Sequence, residues 1–281
     1  MCLECGCTQP EPFRVKPLGA PTIASTTTGL STVPGDALRH EHTHEDGTTH
    51  SHAEGDHSHS HDAPSRTVSL GLSLLAKNDR LAERNRGFFI GRGLFAVNLV
   101  SSPGAGKTAL LERTLDEFGK QVGCAVIVGD LETDNDAQRL HRPHVPVVQI
   151  TTGTACHLDA EMVSKGAEAI DLAGVRVLFI ENVGNLVCPA SFDLGETMRV
   201  VLLSTTEGED KPLKYPPIFK SAHVVLLTKT DVAEVLGFDR RAAMENIRRV
   251  APQAKVLELS SRSGEGMEAW YEVLRQGLPG I

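Results

Sequence analysis

Short apolar runs alternate with amphipathic stretches over the last two thirds of the chain. Helical patterns cover residues 158–173 and 231–250, and a helical lead-in begins near Thr67 with an expected break near Gly71. Seven apolar runs predict buried strands, at 94–102, 124–130, 145–150, 175–182, 199–205, 223–229 and 255–259. Continuous apolar strands alternating with helices indicate a mostly parallel sheet covered on both faces. We therefore predict one α/β domain over residues 66–281.

Residues 1–65 show no comparable periodicity and are rich in Pro, Thr, Gly and His. The stretch 40–62, HEHTHEDGTTHSHAEGDHSHSHD, holds eight histidines and no apolar residue larger than Ala. Such a segment has no apolar side chains whose burial could offset the conformational entropy lost on ordering, so we predict a flexible arm. Neutral imidazole is a common metal ligand, and the arm is interpreted as a low-affinity metal buffer. A plain disordered linker is the alternative.

Charge and composition exclude some classes of function. The chain of 281 residues has a formal net charge of −8, which argues against non-specific binding of nucleic acid. No apolar run approaches the roughly 18 residues of a membrane span. The first residues lack the basic flank and apolar stretch of a signal peptide, so we expect a cytoplasmic protein. In a reducing compartment the six cysteines point to metal binding or catalysis rather than to disulfides.

The segment SSPGAGKT, at 101–108, is the strongest single motif. It fits the second half of the phosphate-binding pattern G-x-x-x-x-G-K-S/T, although Ser101 replaces the first glycine. A predicted strand precedes it and a helix follows, so backbone N–H groups can cradle phosphates. Lys107 would reach the β and γ phosphates, and Thr108 would hold Mg²⁺. The predicted phosphate-binding residues are Gly104, Ala105, Gly106, Lys107, Thr108 and Ala109.

A second element predicts the choice of base. The segment LLTKTD places Lys229 and Asp231 after a late strand, as in the N-K-x-D element of GTPases. A carboxylate at Asp231 can accept hydrogen bonds from guanine that adenine cannot donate, which favours GTP. Thr228 stands where Asn is usual, and leaves the strength of that preference open. Ser261 and Arg262, in SSRSGEG, are candidates to line the base.

Two acidic strand ends lie between these motifs. Asp130 and Glu181 are assigned to the Mg²⁺ ion and Asp136 to a mobile loop that senses the γ-phosphate. Lys107, Asp136 and Glu181 are the predicted catalytic residues. No arginine stands out as a finger that would stabilise transition-state charge, so slow unassisted turnover is expected.

Two sets of cysteines predict soft-metal sites. Cys2, Cys5 and Cys7 form C-x-x-C-x-C, and with the amine of Cys2 they would suit Ni²⁺ or Zn²⁺. A second set consists of Cys156, His157 and Cys188, on loops that follow predicted strands, where ligands bind in such folds. A small buried hydrophobe is the alternative for each single cysteine, and Cys124 is expected to be one.

Taken together, CLECGC, the histidine-rich arm, NLVSSPGAGKT, GDLETDNDAQR, TGTACHL, ENVGNLVCP, TKTD and SGEG resemble the hydrogenase nickel incorporation GTPases, the HypB family. The resemblance implies a P-loop GTPase that delivers nickel during maturation of nickel–iron hydrogenase. It also implies a homodimer linked to GTP or metal, a small zinc-containing partner (HypA) and the hydrogenase large subunit precursor as partners. It further implies that Cys2, Cys5 and Cys7 form a tight nickel site. Cys156, His157 and Cys188 would then bind nickel or zinc at the dimer interface.

Three alternatives differ from this interpretation. The urease accessory GTPases carry a Cys-Pro-His metal motif, whereas Ala190 follows Cys188 and Pro189 here. A nickel or zinc storage protein would explain the histidine arm, but it would not need an intact Gly106, Lys107 and Thr108. A small-molecule kinase would need an acceptor pocket that the sequence does not reveal.

Overall fold

The computed structural model describes the backbone of residues 13–18, 40–43, 49–52 and 63–280, and the side chains of 13–18 and 73–280. Two short 3₁₀ turns, Cys188–Ser191 and Thr230–Val232, accompany the regular elements. In chain order, the elements are β1 (Arg14–Leu18), β2 (His40–Thr43), β3 (Thr49–His52), α1 (Ala63–Gly91), β4 (Phe95–Ser101), α2 (Lys107–Glu117), β5 (Cys124–Asp130), α3 (Asn135–Leu140), β6 (Val147–Thr151), α4 (Ala160–Glu168), β7 (Val177–Glu181), β8 (Met198–Ser204), α5 (Lys211–Lys214), α6 (Pro216–Lys220), β9 (Val224–Thr228), α7 (Arg240–Val250), β10 (Lys255–Glu258) and α8 (Met267–Gly277).

The main sheet has eight strands in the order β1-β6-β5-β7-β4-β8-β9-β10. Every neighbouring pair is parallel except β1 with β6, so the predicted mostly parallel sheet is confirmed. Side chains alternate between the two faces of β4, with Val97 and Leu99 in one apolar cluster and Ala96 in another. Both faces are therefore covered, and the carboxyl ends of the parallel strands meet along one edge.

Strand β1 corrects part of the prediction for residues 1–65, because Arg14–Leu18 belong to the sheet. Arg14 pairs with Thr151 and Leu18 with Val147, in antiparallel register with β6. Val15 and Leu18 pack against the buried clusters. An edge strand here covers β6, whose outer backbone groups would otherwise be unpaired. Within the predicted arm, the backbone of β2 and β3 forms a separate two-stranded antiparallel pair.

The helices differ from the predicted ones at their ends. Helix α1 runs unbroken through Gly71, so the expected interruption is wrong. Its later turns bury one stripe at helical spacing, consisting of Asn78, Ala82, Asn85 and Phe89. Helices α4 and α7 begin later than predicted because the side chains of Asp159 and Asp239 cap their first turns. Within the described residues, no helix is both long and apolar enough to cross a bilayer.

The compact unit that contains the main sheet spans Met1–Ala20 and Ser73–Ile281, and a second unit spans Pro21–Leu72. All of the site geometry below lies in described residues of the first unit.

Candidate functional site

The glycine turn between β4 and α2 forms a phosphate-binding loop. Gly104 and Gly106 have φ values of 73° and 99°, a left-handed conformation that favours glycine over other residues. Lys107 begins α2, and its Nζ donates a hydrogen bond to Ser101 Oγ at 2.9 Å. Ser101, which replaces the usual glycine, therefore holds the lysine side chain over the loop. Burial lowers the pKa of Lys107, although the nearby Glu181 opposes that shift.

Thr108 and Glu181 meet at the centre of the loop. The Thr108 hydroxyl donates to Glu181 Oε1 at 2.7 Å. Glu181 is 3% exposed at the end of β7, and its Oε2 has no hydrogen-bond partner among the described residues. Burial raises the pKa of Glu181 to about 7, against the opposing charge of Lys107. A buried carboxylate oxygen without a partner, beside a threonine hydroxyl, is the oxygen-donor set that suits Mg²⁺.

These groups face an open pocket of about 450 Å³, the phosphate pocket. Asp130 and Asp136, predicted to act near the nucleotide, also line it. Asp130 Oδ1 accepts from the backbone N–H groups of Glu132 (3.1 Å) and Thr133 (3.3 Å), which fixes the turn after β5. The same pocket contains Gly104, Gly106, Lys107, Thr108, Ala109 and Glu181, so most of the predicted phosphate-binding residues lie together.

Arg139 is a cation that the sequence analysis missed. It lines the phosphate pocket from α3, where its guanidinium contacts Asp136 at 3.3 Å and Glu112 at 2.6 Å. The only signal in the sequence is its position three residues after Asp136, on the same side of a short helix. Its two carboxylate partners hold it at the pocket wall.

A neighbouring pocket of about 270 Å³ contains the predicted base-binding residues Lys229, Asp231, Ser261 and Arg262, with Ala105 and Thr228 beside them. Lys229 is the one non-glycine residue with positive φ among the described residues, at 59°. Its Nζ donates to the Gly104 carbonyl at 2.8 Å. The Thr228 hydroxyl donates to the Ala105 carbonyl at 2.8 Å. Thr228, in the place of Asn, thus connects this pocket to the phosphate-binding loop.

The carboxylate of Asp231 lies beside the last loop of the pocket. Its Oδ1 accepts from the Ser260 hydroxyl at 2.6 Å. Arg113 Nη1 donates to the carbonyls of Ser261 and Arg262, at 3.1 and 3.3 Å, which holds that loop against α2. The Ser260 hydroxyl therefore fixes the orientation of the Asp231 carboxylate.

Cys156, His157 and Cys188 come together on two loops at the carboxyl edge of the sheet. One ligand atom from each lies within 4.8 Å of the others. The two sulfur atoms are 2.9 Å apart, which is too far for a disulfide. Burial lowers the pKa of His157, against the nearby Asp159, so that its imidazole is neutral at pH 7. Two thiols and a neutral imidazole can hold Ni²⁺ or Zn²⁺ with positions left open.

The remaining cysteine of the described residues is Cys124, which the sequence predicted to be a core residue. Cys124 lies buried in β5, where burial raises the pKa of its thiol to about 12, as for an inert core residue. Cys2, Cys5 and Cys7, predicted to form an N-terminal nickel site, lie outside the described residues.

A strand, a glycine turn and a helix, with a buried acidic strand end and an adjacent pocket lined by Lys229 and Asp231, define a P-loop nucleotide-binding protein of the GTPase type. The family model for the CobW/HypB/UreG nucleotide-binding domain matches residues 95–258. Hydrogenase maturation factor HypB of Azotobacter chroococcum is 53% identical over 206 residues, which cover 73% of this chain and 68% of that protein. The chain belongs to the HypB family of hydrogenase maturation factors.

Two further comparisons extend this result. HypB of Cupriavidus necator is 38% identical and covers 99% of this chain and 89% of its own length. The crystal structure of HypB from Helicobacter pylori in complex with nickel has a TM-score of 0.68 and 40% identity, and covers 71% of this chain and 94% of that one. The similarity in structure thus includes most of the nucleotide-binding domain.

Proposed function

We propose that the protein is a GTP-hydrolysing metallochaperone that binds nickel and delivers it during maturation of nickel–iron hydrogenase. One observation carries this proposal. A single loop of seven residues runs from Glu181, at the phosphate pocket, to Cys188, which belongs with Cys156 and His157 to the Cys/His cluster. A nucleotide-dependent change at one end of this loop has a short path to the metal ligands at the other end.

The phosphate pocket supplies the positioning and the charges that phosphoryl transfer requires. The backbone N–H groups of the glycine turn and the start of α2 would hold the phosphates, and Lys107 would lie against the terminal ones. Thr108, Asp130 and Glu181 would hold Mg²⁺, which would neutralise charge on the phosphate oxygens. Asp136 lines the same pocket on the short helix α3, where it could respond to the γ-phosphate. The base pocket, with Asp231, favours guanine.

The Cys/His cluster supplies a second site, which would take the nickel ion as cargo. Cys156, His157 and Cys188 provide three ligands and leave at least one position open. An open position suits transient binding, because a ligand of the partner can bind the metal there before the protein ligands leave. The nickel in the Helicobacter pylori structure, at 40% identity, supports nickel as the metal, and Zn²⁺ is the alternative occupant.

Membership of the HypB family supports a proposal about the partners of the protein. We propose a homodimer linked to GTP or metal, a small zinc-containing delivery partner (HypA) and the hydrogenase large subunit precursor as the recipient. Cys2, Cys5 and Cys7 would form a tighter nickel site, and the histidine-rich stretch 40–62 would raise the local nickel concentration near both sites.

Hydrolysis is tested with Thr108→Ala and its matched control Thr108→Ser, which keeps a hydroxyl beside Glu181. We expect the alanine variant to lose at least roughly tenfold of its Mg²⁺-dependent GTP hydrolysis, as when one transition-state stabilising group is removed. The serine variant should retain most of it. Phosphate release by the full chain is the measurement. Equal rates in all three proteins would contradict the assignment of this pocket to GTP hydrolysis.

Nickel binding and its link to the nucleotide are tested in a full chain that carries Cys2→Ser, Cys5→Ser and Cys7→Ser. An anaerobic Ni²⁺ titration, followed by thiolate-to-nickel absorbance, is made with GDP and with a non-hydrolysable GTP analogue. Different affinities are expected, and linkage then requires nickel to change nucleotide affinity by the same factor. Cys188→Ser should abolish the band and Cys124→Ala should not. Equal affinities in the two nucleotide states would refute the coupling.

A metal storage protein is separated from this proposal by deleting residues 40–62. Loss of nickel capacity with delivery to a hydrogenase precursor intact supports the proposed function. Loss of delivery together with capacity supports storage.

A further inference from the structure

A buried polar network lies beside the Cys/His cluster, on the amino-terminal side of strand β8. Its members are Asn98 on β4, Asn182 directly after β7, Glu196 and Arg199. All four are at most 7% exposed. Polar groups at this depth destabilise a fold unless they are hydrogen-bonded. Within the described chain none of these four side chains leaves a buried polar atom without a partner, so the network is complete.

Glu196 and Arg199 form the centre of the network. Glu196 Oε1 accepts from Arg199 Nε at 2.8 Å and from Asn98 Nδ2 at 3.1 Å. Its Oε2 accepts from the backbone N–H of Leu194 at 2.8 Å. Burial alone would raise the pKa of Glu196, but the charge of Arg199 and these hydrogen bonds outweigh it and hold the pKa below its ordinary value. The two side chains therefore form an ion pair with fixed geometry.

The guanidinium of Arg199 also holds the loop that carries Cys188. Its Nη2 donates to the Phe192 carbonyl at 2.9 Å, and its Nη1 makes a longer contact of 3.5 Å with the Pro189 carbonyl. Pro189 directly follows Cys188. The ring of Phe192 lies against the ring of His157, with centroids 4.0 Å apart. The buried guanidinium of Arg199 therefore contacts both ends of the turn 189–192. One end directly follows Cys188, and the other carries the ring that packs against His157.

The other end of the network reaches the loop that carries His157. Asn182 Nδ2 donates to Asn98 Oδ1 at 3.4 Å, and Asn182 Oδ1 accepts from the backbone N–H of Leu158 at 3.1 Å. Leu158 directly follows His157. The same side chain also accepts from the N–H of Val183 at 3.0 Å. The network thus contacts the backbone beside both loops of the cluster.

We propose that Arg199 is a positioning residue, which holds Cys188 and His157 at the separation that metal binding requires. The inference rests on the proposed function, because it takes Cys156, His157 and Cys188 as a nickel site. Groups behind metal ligands fix the direction of the ligand atoms and strengthen binding without touching the metal. Lysine cannot replace arginine here, since one ammonium on a flexible stem cannot serve Glu196 and two carbonyls in fixed directions.

The test uses Arg199→Lys in the full chain that also carries Cys2→Ser, Cys5→Ser and Cys7→Ser. Ni²⁺ alone is the probe, titrated anaerobically and followed by thiolate-to-nickel absorbance. We expect the affinity to fall about 10- to 100-fold, the range for losses behind a metal ligand, and the absorbance band to shift because the ligand geometry changes. A change in the band is a readout that a loss of stability alone would not produce.

Arg176→Lys is the matched control, because Arg176 Nη2 also donates to a backbone carbonyl, that of Pro279, at 2.6 Å. Among the described residues it contacts neither the network nor the cluster, and its replacement should leave affinity and band unchanged. Phe192→Leu provides a second variant that keeps the buried ion pair and removes only the ring against His157. It should weaken nickel binding in the same direction as Arg199→Lys. If a thermal melt shows that Arg199→Lys is unfolded, Phe192→Leu still tests whether the residue that Arg199 holds in place supports His157.

The outcomes are distinguishable. If the protein with three serines shows no thiolate band, the proposed nickel site itself is wrong, and the positioning role falls with it. If that protein binds nickel and both Arg199→Lys and Phe192→Leu match its affinity and spectrum, the nickel site stands and the positioning role is overturned. Weaker binding with an altered band, absent in Arg176→Lys, supports it.

Discussion

Raising the pH of the ligand-free protein from about 5 to about 8 should ionise the buried carboxyl of Glu181 and lower the free energy of unfolding. The pKa of Glu181 is raised from 4.5 to about 7, chiefly by burial. A pKa raised in the folded state means that the protonated form stabilises the fold. That contribution is fully present below the unfolded pKa and is lost as the pH rises through the folded one.

The size of the effect follows from the shift. At about 1.4 kcal/mol per pKa unit, the difference between 4.5 and about 7 corresponds to an upper bound of about 3.5 kcal/mol. The variant Glu181→Gln keeps the shape of the side chain and stays neutral. The wild type should therefore lose stability relative to this variant across the pH range, and the difference should level off above the folded pKa.

The assay is urea unfolding of the nucleotide-free protein at a series of pH values. The difference between wild type and Glu181→Gln is the quantity to follow, because the lowered pKa of buried His157 changes stability in the opposite direction in both proteins. Glu168→Gln, at an exposed carboxylate, is the control and should show no such difference. A constant difference between wild type and Glu181→Gln from about pH 5 to 8 would refute the reasoning.

Three smaller perturbations test the neighbouring contacts. Thr228→Ala removes the hydrogen bond to the Ala105 carbonyl, and should cost about 1 kcal/mol of unfolding free energy and weaken GDP binding. Thr228→Ser should retain both the stability, measured by urea unfolding, and the GDP affinity, measured by calorimetry. Asp231→Ala should weaken GDP binding about 10- to 100-fold in equilibrium titration, because charged hydrogen bonds to a base are lost, and unchanged affinity would rule out Asp231 as the base-recognising group. Lys16→Ala removes an exposed ion pair with Asp134 and should leave the urea midpoint of unfolding close to that of the wild type. A clear loss of stability would show that β1 depends on this contact.

The pattern of apolar residues was sufficient to predict the parallel strands of the sheet. The parallel strands are continuous apolar runs because both sheet faces are covered, and their predicted bounds lie close to those observed. Strand β1 was missed because no local pattern in the sequence marks it as a strand. It has five residues and contains Pro17, and only its pairing with β6 makes it a strand. Gly71 also misled the prediction, because a single glycine weakens a helix without ending it.

The site residues divide in the same way, into contiguous motifs that the sequence shows and contacts that depend on packing. The phosphate loop and the base-binding segment are contiguous motifs, and their residues lie together in two adjacent pockets. Arg139 could not be singled out, because its place at the pocket wall depends on how α3 packs. Asn98, Glu196 and Arg199 lie within apolar or loop segments, and their hydrogen bonds join residues up to 98 positions apart. No spacing in the sequence indicates such contacts.

The proposed link between nucleotide and metal has a second physical basis in the loop between Glu181 and Cys188. A side chain at Gly184 would bring a Cβ atom within 2.9 Å of Pro103 Cα, so the loop lies directly against the phosphate-binding turn. The next residue, Asn185, donates from Nδ2 to the Cys156 carbonyl at 3.2 Å. A displacement of the phosphate-binding turn toward this loop would therefore meet the backbone of Gly184, and close-packed contacts transmit such shifts. Since coupling is reciprocal, nickel bound at Cys156 would act on the phosphates by the same route.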